Sequence, residues 1–148
     1  MYKSLLIAKK FLKLATKDKK VFTPMQLLKL VYLAHGWLLG WKGKHLIKED
    51  IEAWRYGPVI PELHKEIKHY KGHPVENINC EDSEIEPEQE YVINQVYKEY
   101  GHLSGIELSM ITHEPDSPWE KTWNDGGTVI SNDLIAHYYK QLSTLCNP

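Results

Sequence analysis

Eight histidines, two cysteines and twenty carboxylates give this 148-residue chain many groups that could hold a metal or move a proton. Their spacing does not assemble a reaction. His69 and His73 stand four apart, but Gly72 and Pro74 break the helix that would align them, and His113-Glu114 and His64 belong to no recognisable ligand set. A zinc site uses three or four ligands at characteristic spacing. Ser104-Gly105 reads as a helix cap rather than a nucleophile on a sharp turn, and Cys80 and Cys146 have no base beside them. Gly126-Gly127 is too short to cradle a phosphate. The carboxylates of residues 81–90 precede a helix start, where acids favour the helix dipole. No cofactor, metal or catalytic residue is expected, and an enzyme has nothing to rest on.

Two other stretches concentrate unusual side chains. "EAWRYGPVIPEL" brings together Trp54, Arg55, Tyr56, Gly57 and Pro58, and "LSMITHEPDSPW" carries His113, Pro118 and Trp119. Trp and Arg dominate the energetics of protein interfaces. In a chain this small the same aromatics are also wanted for the core, so Trp54, Tyr56, Trp119 and Trp123 are expected to bury large areas. Gly57 is expected in a conformation closed to other residues.

The elements that must position these residues are mostly helical. Residues 3–16 space Leu5, Ala8, Leu12 and Ala15 on one face, with Lys3, Lys10, Lys13 and Lys17 on the other. Thr23, Pro24 and Gln26 form a capping-box start. From there to Trp41 apolar residues cover nearly the whole circumference, which predicts a buried central helix about 27 Å long. Lys29 and His35 should lie on its less buried flank or pair with something. Ile51–Trp54 alternates as a short strand, and Pro61 opens a helix that should run to about Lys71 before Gly72. Residues 73–86 form an acidic loop, the one place where mobility is expected. Pro87 opens a helix stopped by Gly101. Ser104/Glu107 and Ser117/Glu120 are two more capping boxes, and the second places Trp119 and Trp123 one turn apart. Thr128–Ile130 could pair with Ile51–Trp54, and Ser131 caps the last helix. The fold class expected is mainly α, a single compact domain over residues 1–148 with a small β element.

Composition bounds the setting. With 42% apolar and 26% charged residues the chain reads as soluble and globular. Two cysteines in these contexts make no disulfide framework and point to a reducing, cytoplasmic location. No signal-peptide core is recognisable, and Met25–Trp41 falls short of a membrane span. Residues 1–75 carry fifteen Lys and Arg against six Asp and Glu, while residues 76–148 carry three against fourteen. The seven lysines of residues 1–20 spread round more than one helix face without interleaved aromatics. The halves are therefore expected to neutralise each other within one fold, and nucleic acid is not an expected partner.

The order "PMQLLKLVYLAHGW", "IEAWRYGPVIPEL", "LSMITHEPDSPW" resembles the Panacea-domain family of SocA-like antitoxins and GepA-type phage-associated proteins. The resemblance spans about residues 5–142. Its core is a Lys-Leu-x-Tyr-x-Ala helix, an Ala-Trp-x-Tyr-Gly-Pro-Val-x-Pro corner, and Thr-His with Pro-Trp five residues on. The family often has Lys where this chain has Gln26 and Gln where it has Leu28. The resemblance implies a helical protein-binding domain that neutralises a toxin encoded by a neighbouring gene, by direct binding or by delivering it to a cellular protease. The alternative is a nucleic-acid-binding or regulatory phage-associated protein. No catalytic residue carries over; Trp54, Arg55, Tyr56, Gly57, Pro58, His113, Pro118 and Trp119 are the motif residues that could form a partner surface.

Overall fold

The computed structural model describes residues 1–146, with side chains through Thr144; the Cys146 side chain lies outside the described residues. It is mainly α-helical, with one small sheet. The helices are α1 (Ser4–Lys17), α2 (Pro24–Lys42), α3 (Pro61–Ile67), α4 (Pro87–Tyr100), α5 (Gly105–Thr112), α6 (Pro118–Asn124) and α7 (Asn132–Cys146). The strands are β1 (Ile51–Trp54), β2 (Gly57–Val59) and β3 (Val129–Ile130), in the order β2-β1-β3. Both pairings are antiparallel, with Trp54 opposite Gly57 and Ile51 opposite Ile130.

α2 is the centre. Thr23 and Gln26 close its expected capping box, and Leu27, Leu30, Val31, Leu33, Ala34 and Leu38 are fully buried. α7 crosses it at Gly36 and Gly40, four residues apart. A β-carbon on Gly36 would come within 2.6 Å of the Tyr139 ring, and one on Gly40 within 2.8 Å of the α7 backbone. Two glycines inside a helix weaken it by about 1 kcal/mol each relative to alanine; here they let a second helix approach closely. Trp41, placed by its periodicity in the buried set, is instead 49% exposed, because α2 has by then passed the end of the core.

Lys29 and His35 do not lie on an exposed flank; both are buried and both are paired. His35 Nε2 donates to Asn132 Oδ1 at the start of α7 (2.8 Å). Its Nδ1 faces the backbone N–H groups of Leu46 and Ile47 at 3.2 and 3.3 Å. The loop so held also pairs with Tyr2 and sends the Glu49 carboxylate to the Ser4 backbone N–H, supplying the cap that Lys3 cannot.

Several boundaries differ from expectation. α3 ends at Ile67 and tightens into a 3-10 turn over Lys68–Tyr70, and the chain reverses at Lys71, which takes positive φ, rather than at Gly72. At Ser117 the box is half formed: the hydroxyl accepts from Glu120 N, but the Glu120 carboxylate accepts from Asp116 N. Residues 74–86 have no secondary structure, yet they form a tethered strap along α1. Val75 and Ile78 are buried, Lys9 donates to Cys80 O, Lys10 and Lys13 pair with Asp82, and Glu86 N donates to the Tyr2 hydroxyl. The basic and acidic halves thus meet across this strap, and again where Lys42 and Lys44 meet Glu88.

Burial, only partly offset by the Asn132 bond, pushes the His35 pKa down to about 4, so the ring is neutral in the folded chain. The unfolded chain takes up that proton near the ordinary value of 6.5. Stability linked to His35 is therefore present above that value and is lost as pH falls toward 4. The advantage of wild type over His35→Gln in unfolding free energy should shrink by about 3 kcal/mol between pH 7 and pH 4. Urea titrations across that range check it, and parallel pH profiles would contradict it.

Candidate functional site

The eight motif residues converge on the tip of the β1–β2 hairpin. Trp54 and Gly57 pair across it, leaving Arg55 and Tyr56 as a two-residue loop. Two-residue hairpin loops usually need positive φ at the loop positions, which suits Gly and Asn rather than Arg and Tyr. Here Arg55 and Tyr56 keep negative φ, and the left-handed backbone falls on Gly57, at φ +124°. The sequence Arg-Tyr-Gly is thereby explained: the glycine absorbs the strain and frees two large side chains to occupy the tip.

The backbone of this tip is clamped from outside. Trp119 Nε1 donates to Trp54 O at 2.6 Å. His113 Nε2 faces Arg55 O at 3.4 Å. Ser109 Oγ donates to Tyr56 O at 2.8 Å, and Lys29 Nζ donates to Pro58 O at 3.0 Å. Four carbonyls within five residues are thus met by side chains from α2, α5, the end of α5 and α6. Rings fill the space between them. His113 packs against Trp119 at 4.2 Å, Trp119 stacks on Trp123 at 5.4 Å, and Trp54 meets His64 at 4.9 Å. Pro118 is buried at the first turn of α6, where it starts the helix that carries Trp119.

Burial divides the motif. Gly57 and Pro58 are buried, and Trp54, His113 and Trp119 are half-buried; all five hold the corner together. Arg55 and Tyr56 are exposed, Tyr56 at 63%, with the guanidinium 5.5 Å from the phenol ring centroid. The expectation that Tyr56 and Trp123 bury large areas is therefore wrong, since Trp123 is 44% exposed on the outer side of α6. The ion pairs among the described residues all use lysine, and Arg55, the chain's one arginine, has no carboxylate partner there.

Lys29 and Ser109 complete the clamp; Lys29 was expected to lie on the less buried flank of α2 or to pair with something, and Ser109 was not singled out from the sequence. Lys29 is the one charged residue inside the apolar run of α2, and that was the signal available. Ser109 stands one turn before His113, whose Nδ1 lies 2.6 Å from Ser109 O, a spacing that would have linked them. The arrangement is poor in reactive groups. The Ser109 hydroxyl is spent on a carbonyl, and among the described residues no three His, Cys, Asp or Glu side chains converge as a metal site. Within them, no helix is long and apolar enough to cross a membrane.

Burial lowers the Lys29 pKa to about 8, so near neutral pH a charged ammonium sits under Gly57. A β-carbon on Gly57 would lie 2.6 Å from that nitrogen. Because the folded value is depressed, the unfolded chain holds the proton to higher pH, and the desolvation penalty is fully present below about 8. Relative to Lys29→Met, wild type should gain about 2 kcal/mol of stability between pH 7 and pH 10. Chemical denaturation of both proteins checks this, and the absence of a differential slope would place Lys29 in contact with water.

The family model described as antitoxin SocA-like, Panacea domain matches residues 27–120, from two residues before Lys29 to one past Trp119. Antitoxin SocA of Caulobacter vibrioides (strain NA1000 / CB15N) is 28% identical over 123 residues, which cover 74% of this chain and 64% of the relative. The chain thus spans a little under two thirds of that relative's length. No solved structure matches the chain. The matched stretch contains all but the first turn of the buried helix, the hairpin and every side chain that clamps it, and the chain belongs to the SocA-like, Panacea-domain family.

Proposed function

We propose that this chain is a cytoplasmic antitoxin which neutralises a protein toxin, the product of a neighbouring gene, by binding it directly through the hairpin corner. The observation that carries the reading is the clamped tip. Four side-chain contacts hold the turn's carbonyls, while Arg55 and Tyr56 project outward unpaired with any acid. A surface loop normally loses conformational freedom on binding, and that loss subtracts from affinity. Here the backbone is already ordered, so the contact energy of Arg55 and Tyr56 is largely retained.

The same arrangement supports a binding module rather than an enzyme. The corner's Lys, Ser and Trp donors are committed to backbone carbonyls, and the His113 ring is held between Ser109 O at 2.6 Å and Arg55 O at 3.4 Å. Family membership supports the antitoxin role, and the relative's name is in keeping with it. Direct binding is preferred to delivery to a protease because a rigid, preorganised contact suits a stable complex. On this reading the complex persists and the toxin's half-life is unchanged in cells lacking the relevant protease.

Arg55→Ala is the test. It should weaken binding of the neighbouring gene's product by about 2 kcal/mol, roughly 30-fold, with an unchanged melting temperature, and should abolish rescue on co-expression. Full rescue at full stability would remove Arg55 from the interface. A protein that instead binds duplex DNA tightly at physiological salt would overturn the antitoxin reading in favour of nucleic-acid recognition.

A further inference from the structure

α5 carries apolar residues on more sides than the core uses. Its sequence GIELSMIT buries Leu108 and Thr112, while Ser109 meets the hairpin and the helix ends at His113. Ile106 and Met110, one turn apart on another side, are 72% and 66% exposed. Met25 lies alongside the first turn, close enough that a β-carbon on Gly105 would touch it. Tyr56 is tied to the same helix through Ser109. Single exposed apolar side chains are ordinary on a protein surface. Ile106 and Met110 form an exposed apolar strip on α5, with Met25 beside its first turn and the hairpin tip docked at Ser109 and His113, where Arg55 has no acid partner among the described residues; exposed apolar surface grouped in this way marks an interaction surface.

We infer that this strip receives an amphipathic helix of the partner, its apolar side laid along Ile106 and Met110 and a carboxylate at its edge reaching Arg55. The inference rests on the direct-binding reading. The helix follows from the ridge: two apolar side chains four residues apart rise about 6 Å along α5, the spacing into which another helix packs its own ridge. The carboxylate follows from Arg55, whose planar fork suits a carboxylate and finds none among the described residues. Glu107, the acid of this helix turn, is committed to the Ser104 backbone N–H, and Glu114 and Asp116 form no ion pair with Arg55.

The probe is the purified product of the neighbouring gene, titrated against full-length wild type, Met110→Glu, Ile106→Ser and Arg55→Gln, each with its melting temperature. Met110→Glu should weaken binding about 30-fold or more, since it places a charge in the apolar seam. Arg55→Gln should weaken it about tenfold and remove the loss of affinity that wild type shows between low and high salt. Should Met110→Glu disturb folding, Met110→Ser asks the same question at lower risk. Wild-type affinity in both α5 variants, with Arg55→Ala still impaired, would overturn this inference and leave the direct-binding reading standing. Failure of wild type to bind at all would overturn both. A wild type that self-associates, with Met110→Glu monomeric, would assign the strip to a second copy and overturn the inference.

Discussion

Where a helix is buried its polar side chains have no solvent to turn to, and three on α2, Gln26, Lys29 and His35, reach across to other elements. Each must find a partner elsewhere in the chain, and the partners found set much of the architecture. Gln26 caps its own helix and donates to Leu103 O, fixing the approach to α5. Lys29 holds Pro58 O and so the hairpin. His35 holds the loop at Leu46 and Ile47 together with the first turn of α7. An unpaired polar group in such a place costs about 1–3 kcal/mol, more when charged, so these bonds act as strong selectors of loop position even where their net contribution to stability is modest.

This division explains how a helical protein can present a rigid β-turn. A three-stranded sheet with strands of two to four residues could not hold its tip alone. The tip is held from outside, where side chains of α2, α5 and α6 and His113 at the end of α5 meet its carbonyls. The motif therefore separates by role along its own length. Lys29, Trp54, Gly57, Pro58, His113, Pro118 and Trp119 build the corner, and Arg55 and Tyr56 are displayed by it. On the proposed reading, a substitution in the first set acts through the turn's geometry and one in the second through contacts alone.

Much of the fold was legible because its signals are local. Capping at Thr23, Ser104 and Ser131 and proline at four helix starts depend only on neighbours in sequence, and each stands where it was read. What escaped depends on distant chain. Gly36 and Gly40 look like weak points of a helix until Tyr139 lies across them. The strap over α1 reads as a free acidic loop until Lys10 and Lys13 meet Asp82. At the site, the motif residues were visible as a composition. Their sorting into buried clamp and exposed tip was not, because alternation along β1 says which side a residue faces and nothing of what covers it. Tyr56 was misread for that reason: residue type argued for burial, while the loop position left it in water.

The charge asymmetry follows the same logic. Had the lysines of α1 remained free, the first half of the chain would present a basic face suited to polyanions. The strap sets acids against that face, and Lys42 and Lys44 share Glu88. These surface pairs contribute little stability individually. Their consequence lies in the field: opposite charges a few ångströms apart cancel within one Debye length of about 8 Å, so lysines paired in this way attract distant ligands only weakly. Arg55 lies outside this cancellation, exposed on a clamped turn. A charge left without an acid partner among the described residues, on a turn whose carbonyls are already occupied, keeps more of its field than the paired lysines do, and on the proposed reading that favours the corner over the lysine-rich helix as the contact surface.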